Sequence, residues 1–161
     1  ASVWRAPKVQ QDNKTKRNDK QIQAQVLELI RNLQRKNGMA VLLITHDMGV
    51  VAEMAHDVIV MYAAQGIEKG SVYDLFDYPS HPYTQALFKA RPLISHQRET
   101  LSPIAGSVPP LGHYPAGCRF HPRCQYAMPV CRQGGVPQFA APGSGGHCGN
   151  CWLLDPSTGE R

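Results

Sequence analysis

The sequence predicts an α/β fold followed by a loop-rich segment that contains all five cysteines. Two apolar runs, at residues 39–45 and 58–62, predict buried strands, and residues 49–55 between them predict a short helix. Strand, helix and strand in this order indicate part of a βαβ unit with parallel strands. Two strands do not make a stable sheet, so we expect further strands from elsewhere.

The first 20 residues form a basic, polar tail that we expect to be disordered. They hold six lysines and arginines against two aspartates, and so carry +4 of the formal net charge of +5. Because this charge lies in an aromatic-poor tail, it gives little support to nucleic-acid binding. The chain contains neither an apolar run of the ~18 residues that span a bilayer nor the apolar core of a signal peptide, which predicts a soluble, cytoplasmic chain.

The tail is followed by a segment with the apolar periodicity of an amphipathic helix that ends at Gly38. The periodic residues are Ile22, Val26, Leu29, Ile30 and Leu33. The predicted strand at residues 39–45 then leads into the short helix and the second strand.

Turn and helix signals follow the second strand. Residues 66–70 predict a turn, and Ser71 is placed to cap a short helix over residues 71–76. Pro82 then begins a helix that continues to about Ala90. From Pro92 onward proline and glycine are frequent and periodicity fades, so we place a domain boundary within residues 92–104.

The apolar run that ends at His46 and Asp47 is the first candidate for chemistry. In open α/β sheets, ligands bind at the carboxyl ends of strands, so a histidine there is placed to contact a substrate. The alternative is a histidine that caps the next helix or satisfies a backbone group. A small hydrolase with His46 and Asp47 as acid and base is poorly supported, because adjacent strand-end residues point to opposite faces and no activated nucleophile is apparent.

The cysteines are the second candidate site, with the spacing C-x5-C-x6-C-x16-C-x2-C. They are Cys118, Cys124, Cys131, Cys148 and Cys151. Thiols grouped in a loop-rich segment of a cytosolic chain indicate zinc or an iron–sulfur cluster more than disulfides. The long gaps suit a cluster without excluding zinc, and unliganded or disulfide-paired cysteines are the alternative. His113, His121 and His147 are possible nitrogen ligands, although we expect each to be a solvated loop residue.

Several further sequence elements carry a resemblance. They are IQAQVLELI at 22–30, LLITHD at 42–47, VVAEMA at 50–55, VMYA at 60–63, SHPYTQAL at 80–87, GCRFHPRC at 117–124 and YA at 126–127. Together they resemble the ATP-binding subunits of bacterial dipeptide and oligopeptide ABC importers, over about residues 21–155. The THD element indicates any ABC ATPase, whereas HPYTQAL and CRF-x-PRC narrow the resemblance to peptide or nickel importers.

The resemblance implies a fold and a set of roles. Residues 21–70 are expected to form the C-terminal part of an ABC-type nucleotide-binding domain, with a partial P-loop NTPase sheet, and residues 71–161 the family's C-terminal extension. His46 matches the switch histidine, which contacts the γ-phosphate and helps order the attacking water. Asp19 falls at the position of an aspartate in a dimer-contacting loop, although its neighbours depart from the family pattern.

The resemblance also implies cofactors and partners. A [4Fe–4S] cluster would be held by Cys118, Cys124, Cys131 and Cys151, with Cys148 as the alternative fourth ligand and zinc as the alternative metal. ATP and magnesium belong to the complete subunit. The implied partners are a second ATP-binding subunit, the transmembrane permease subunits and, indirectly, a peptide-binding protein, but no nucleic acid. The subunit is expected to be cytoplasmic and peripheral on the inner face of the cell membrane.

The motifs that bind the nucleotide phosphates are not in the sequence. It contains no G-x-x-x-x-G-K-[ST] loop, no acidic magnesium-binding strand and no signature of the LSGGQ type. We therefore expect the C-terminal portion of an importer subunit that neither binds ATP tightly nor hydrolyses it alone. The alternative is a non-catalytic interaction module that binds a cluster or zinc.

Overall fold

The computed structural model of the chain describes residues 13–90, 104–143 and 145–158. The helices are α1 (Asn13–Asn37), α2 (Met48–Met54), α3 (Val72–Asp77) and α4 (Pro82–Lys89). The strands are β1 (Asp57–Tyr62), β2 (Gln65–Ser71), β3 (Phe139–Ala140) and β4 (Cys148–Gly149). Short 3₁₀ helices cover His121–Arg123, Pro129–Arg132, Trp152–Leu154 and Pro156–Thr158. The chain divides into two compact units, one up to Val50 and one from Val51 onward.

Helix α1 dominates the first unit and confirms the predicted amphipathic helix. Gly38 follows it with φ of +62°, a conformation in which glycine avoids the strain of a side chain. The helix begins at Asn13, so the prediction of disorder is wrong for residues 13–20. These residues include lysine and arginine, which favour helix, and neither proline nor glycine interrupts them. The rest of the predicted tail, residues 1–12, lies outside the described residues.

Residues 39–45 do not form the predicted buried strand. Leu42 and Ile44 are 90% and 91% exposed, and no described strand pairs with this segment. An apolar run becomes a strand only where neighbouring strands satisfy its backbone groups, and none does so in the described part of the chain. The short helix predicted next is confirmed as α2.

A four-stranded antiparallel sheet organises the second unit, in the order β1-β2-β4-β3. The predicted second strand is confirmed as β1, but its predicted parallel partner at residues 39–45 forms no strand, and β1 instead pairs antiparallel with β2. Only Ala63 and Ala64 join them, both at positive φ, as in a tight two-residue hairpin. The parallel sheet predicted for residues 21–70 is thus not found among the described residues.

Strand β2 occupies the residues that were predicted to form a turn. Gly66 and Gly70 suggested a turn, but Gly70 lies where the ring of His147 approaches the backbone. A Cβ atom at Gly70 would lie 2.9 Å from Cδ2 of His147. This glycine therefore admits a close neighbour from far along the chain, which sequence spacing does not reveal.

The cysteine-rich segment continues the same sheet. β4 pairs with β2, so the separate domain predicted from residue 71 onward is instead part of the second unit. Nearly all of the predicted boundary at residues 92–104 lies outside the described residues. The core joins Tyr62 and Ile67 of the hairpin to Phe120, with the rings of Tyr62 and Phe120 edge-on at 5.1 Å between centroids.

Helices α3 and α4 are confirmed close to their predicted bounds. Ser71 caps α3, because its Oγ accepts the N–H of Asp74 at 3.1 Å. His81 caps α4, and Pro82 takes the first helical position. None of the helices in the described residues has both the length and the apolar character to cross a membrane.

Candidate functional site

Four of the five cysteines line one pocket in the second unit: Cys118, Cys124, Cys131 and Cys151. His81, Phe120 and Trp152 are among the other lining residues. All five cysteines are free thiols, so the structure shows none of the disulfides considered as an alternative. Cys148 lies in β4, paired with Lys69, and is not among the lining residues.

Three of the four pocket cysteines begin the same kind of turn. In each turn the cysteine carbonyl accepts a backbone N–H three residues later, from His121 to Cys118 (3.0 Å), from Ala127 to Cys124 (3.2 Å) and from Leu154 to Cys151 (3.0 Å). Each sulfur also accepts a backbone N–H from two residues later, from Phe120, Tyr126 and Leu153 respectively. Such donors stabilise a thiolate, which is the form that binds metals.

The fourth cysteine is held beside the first by the backbone. The N–H of Cys118 donates to the carbonyl oxygen of Cys131 at 2.9 Å. Gly117 makes this close approach possible, since its φ is +72° and a Cβ there would lie 2.3 Å from that same oxygen. The side chain of Cys131 is buried.

Burial and mutual repulsion govern the charge of the thiols. Burial raises the pKa of Cys118, of Cys124 and, to about 12, of Cys151. Negative charge on the other three pocket cysteines raises the pKa of Cys151 further, which places the four sulfurs within electrostatic reach of one another. Without a bound cation the thiols of Cys118, Cys124 and Cys151 are protonated at neutral pH, and binding a metal releases their protons.

The described residues show no ready arrangement of ligands for a single metal ion. No three His, Cys, Asp or Glu side chains in the described part of the chain are close enough to hold one ion. The four thiols therefore surround a common pocket without forming a ready-made zinc site.

The three candidate nitrogen ligands have different surroundings. His113 is exposed, as expected for a solvated loop residue. Nδ1 of His121 lies 2.8 Å from the carbonyl oxygen of Cys118. His147 was expected to be solvated, but it is 3% exposed. Its Nε2 lies 2.9 Å from Oε1 of Glu68, and its Nδ1 contacts the carbonyl oxygen of Pro142. Both of its ring nitrogens are thus engaged away from the cysteines.

Glu68 is a buried carboxylate that sequence reasoning missed. It is 2% exposed and accepts the backbone N–H of Ser80 at 2.7 Å and of His81 at 3.0 Å, in addition to its contact with His147. A charged residue between two glycines looks like part of a solvated turn, and no local signal indicates otherwise. Glu68 joins β2, the start of α4 and the segment before β4.

His81 donates its backbone N–H to this carboxylate and also lines the cysteine pocket. Its Nδ1 accepts the N–H of Tyr83 at 3.0 Å, and its Nε2 is buried without a hydrogen-bond partner among the described residues. Burial lowers the pKa of His81 to about 4, and the opposing attraction of Glu68 is weaker. The imidazole is therefore neutral at physiological pH.

His46 lies in the first unit, exposed and apart from any strand end. Asp47, not His46, caps α2, because its Oδ1 accepts the N–H of Gly49 at 2.8 Å and of Val50 at 3.4 Å. The capping role that was the alternative for His46 thus belongs to its neighbour. Asp19 lies in the first half of α1, and its side chain is outside the described part of the structure.

Comparison with known proteins gives a consistent result. Residues 67–131 match the family described as the oligopeptide/dipeptide transporter, C-terminal region. The chain is 48% identical to the dipeptide transport ATP-binding protein DppD of Escherichia coli over 121 residues, which are 75% of this chain and 37% of that protein. It is 50% identical over 120 residues to the oligopeptide transport ATP-binding protein AppD of Bacillus subtilis, covering 74% of this chain and 37% of that protein.

A third relative extends the match. A putative peptide import ATP-binding protein of Brucella melitensis is 41% identical over 140 residues, covering 87% of this chain and 41% of that protein. The chain therefore spans about two fifths of the length of these relatives.

Proposed function

We propose that this chain is the C-terminal portion of an ATP-binding subunit of a peptide importer, because residues 67–131 match the C-terminal region of the oligopeptide/dipeptide transporter family. The complete subunit binds ATP with magnesium and couples its hydrolysis to the uptake of dipeptides or oligopeptides. The observation that carries the proposal is the identity of 48% and 50% to two ATP-binding proteins of peptide transport.

His46 is the catalytic residue that this portion contributes. In phosphoryl transfer the protein acts mainly by positioning groups and stabilising charge around the γ-phosphate. An imidazole can donate a hydrogen bond to a γ-phosphate oxygen and help to orient the attacking water. The exposure of His46 leaves its ring free to meet a nucleotide held by other parts of the subunit. Asp19 is proposed, on the resemblance alone, to lie at the contact with a second ATP-binding subunit.

We also propose that Cys118, Cys124, Cys131 and Cys151 hold a [4Fe–4S] cluster. Two observations support it: the four thiols line one pocket, and backbone N–H groups point at three of the sulfurs. A bound cluster supplies one-electron redox chemistry or a rigid link between the segments that ligate it. Zinc is the alternative metal. Cys148 is the less suitable fourth ligand, because it does not line the pocket.

The implied partners follow from the same proposal. The subunit pairs with a second ATP-binding subunit and docks on the transmembrane permease at the cytoplasmic face of the membrane. Peptide reaches the permease through a separate binding protein.

A chimera tests the proposed activity. The matching segment of DppD from Escherichia coli is replaced by this chain, and import is measured as growth on a dipeptide that supplies a required amino acid. We expect the chimera to support growth and His46→Ala to abolish it. His56→Ala is the matched control, since His56 is also exposed and its carbonyl oxygen, which accepts the N–H of Val72, is kept by the substitution.

Two outcomes decide against the proposal. A chimera that accumulates at the level of DppD but does not support growth contradicts the importer assignment, and an active His46→Ala chimera contradicts the role of His46. If import fails while the isolated chain binds metal through its cysteines, the non-catalytic interaction module replaces the first proposal.

Iron and sulfide analysis after anaerobic purification tests the cluster, and a colourless protein with stoichiometric zinc would contradict it.

A further inference from the structure

The histidine of the SHPYTQAL element has a role that helix capping does not account for. His81 is 1% exposed, one of the most completely buried side chains in the described part of the chain. Its ring lies against Phe120, with the centroids 5.8 Å apart, and it lines the pocket of the four cysteines. The ring is thus fixed by its surroundings in a position next to the proposed cluster.

Hydrogen bonding determines the tautomer of this ring. Nδ1 accepts the N–H of Tyr83 at 3.0 Å, and a ring nitrogen that accepts a hydrogen bond carries no proton. A neutral imidazole with an unprotonated Nδ1 carries its proton on Nε2. The lowered pKa of His81, about 4, agrees with a neutral ring.

The N–H at Nε2 is therefore a buried donor whose acceptor is missing from the described residues. Leaving such a donor unsatisfied destabilises the folded state, and buried donors in native proteins nearly always have a partner. Glu68 does not supply it, since its contact is with the backbone N–H of His81 and not with the ring. The space that His81 shares with the thiols is where the missing acceptor is expected.

We infer that Nε2–H of His81 donates a hydrogen bond to an anionic sulfur of the cluster held by the four cysteines. This inference rests on the proposed cluster and makes His81 a positioning residue for it. Anionic sulfur accepts such a bond, and hydrogen bonds to the sulfurs are among the factors that set the reduction potential of a cluster. A fixed N–H donor favours the reduced state, which carries one more negative charge.

Two substitutions test the capping role of Nδ1 and the donor role of Nε2 separately. His81→Asn keeps a good cap for α4, because its side-chain oxygen can accept the N–H of Tyr83, but it removes the distant donor. His81→Gln keeps an N–H donor near the position of Nε2 and weakens the cap. The midpoint potential of the reconstituted cluster is measured in the whole chain by an anaerobic redox titration.

We expect His81→Asn to shift the midpoint potential to more negative values. The midpoint potential of His81→Gln should stay much closer to that of the unsubstituted chain. A structural role in capping alone predicts the opposite order of effects, with His81→Gln the more disturbed variant. An unchanged potential in His81→Asn, in a chain with full iron and sulfide content, overturns the inference and leaves the cluster proposal standing. A chain that assembles no cluster overturns both.

The tautomer offers a test that needs no variant. In the chain labelled with ¹⁵N-histidine, long-range proton–nitrogen spectra distinguish a protonated Nε2 from a protonated Nδ1. We expect the Nε2–H form for His81 before cluster assembly. A protonated Nδ1 overturns the inference whatever the metal content of the chain.

Discussion

At the scale of single residues, Gly117 allows the backbone of Cys118 to hydrogen-bond with the backbone of Cys131. Its positive φ suits glycine, and a Cβ atom would collide with the carbonyl oxygen of Cys131. We expect Gly117→Ala to lower the free energy of unfolding by ~3 kcal/mol or more, since it adds a backbone collision to the strain of a left-handed alanine. Urea denaturation of the metal-free chain measures the change.

Gly134→Ala is the matched control for this prediction. Gly134 also has positive φ, +55°, but a Cβ there meets nothing within 4 Å. We expect a loss of only ~1 kcal/mol, the strain of the backbone alone. Equal losses in the two variants would show that Gly117 matters for its conformation and not for its closeness to Cys131.

A second residue, His81, makes the stability of the metal-free chain depend on pH. Its pKa is about 4 in the folded chain against 6.5 for an ordinary histidine. Between these values the unfolded chain binds a proton that the folded chain does not, so stability is complete above pH 6.5 and falls as the pH drops toward 4. The unfolding equilibrium constant is expected to rise by up to tenfold per pH unit in this window from His81 alone.

His81→Asn removes this contribution while it keeps the helix cap. Urea denaturation at several pH values should therefore give a shallower loss of stability for the variant between pH 6.5 and 4. Parallel pH profiles for the two chains would contradict the assignment of the buried neutral imidazole.

At the scale of elements, the sequence predicted well what local interactions determine. Ser71 and Pro82 placed α3 and α4, because a side-chain cap and a fixed φ act within one turn of their own residue. β2 was missed because its place depends on β1, β4 and the ring of His147, which contacts Gly70 from 77 positions away. The run at 39–45 was overpredicted for the converse reason, since its apolar pattern has no partner strand among the described residues.

Glu68 is the element-scale connection that can be tested directly. Its two carboxylate oxygens accept bonds from the backbone of Ser80 and His81 and contact His147. Glu68→Gln replaces one acceptor with an amide N–H that faces a donor, so we expect a loss of ~2–4 kcal/mol in the free energy of unfolding. Asp77→Asn removes a carboxylate charge from an exposed position of the same unit and should change stability by less than ~0.5 kcal/mol.

Hydrogen exchange locates the effect of Glu68→Gln. The amide protons of Ser80 and His81 should lose protection more than those of β1, because their acceptor is the carboxylate itself. Uniform loss of protection across the second unit would contradict a specific link between β2 and the start of α4.

At the scale of the whole molecule, the candidate cysteine site joins distant parts of the chain. Spacing and resemblance indicated which cysteines to consider, because thiols are recognisable in a loop-rich segment. The sequence did not reveal that His81 borders the same pocket or that Glu68 supports it, since both relations depend on how β2 meets β4 and α4. Side chains that act through long-range contacts leave no spacing for a pattern to detect.

Metal loading should therefore stabilise the second unit as a whole. A group bound to Cys118, Cys124, Cys131 and Cys151 connects segments that lie 33 positions apart in sequence at their extremes, and it binds only the folded arrangement. We expect anaerobic reconstitution with iron and sulfide to raise the melting temperature, and removal of the metal by a chelator to reverse the gain. Differential scanning calorimetry under anaerobic conditions measures both.

Two cysteines three positions apart provide the decisive comparison. Cys151→Ser removes a thiol that lines the pocket, whereas Cys148→Ser changes one in β4 that does not. The first variant should lose cluster content and the gain in melting temperature, and the second should keep both, because only the first loses a ligand. Since both substitutions replace one sulfur by oxygen in the same segment, a general sensitivity of this segment to substitution would affect them alike. Loss of the cluster in Cys148→Ser with retention in Cys151→Ser would transfer the fourth ligand to Cys148 and require β4 to leave the sheet.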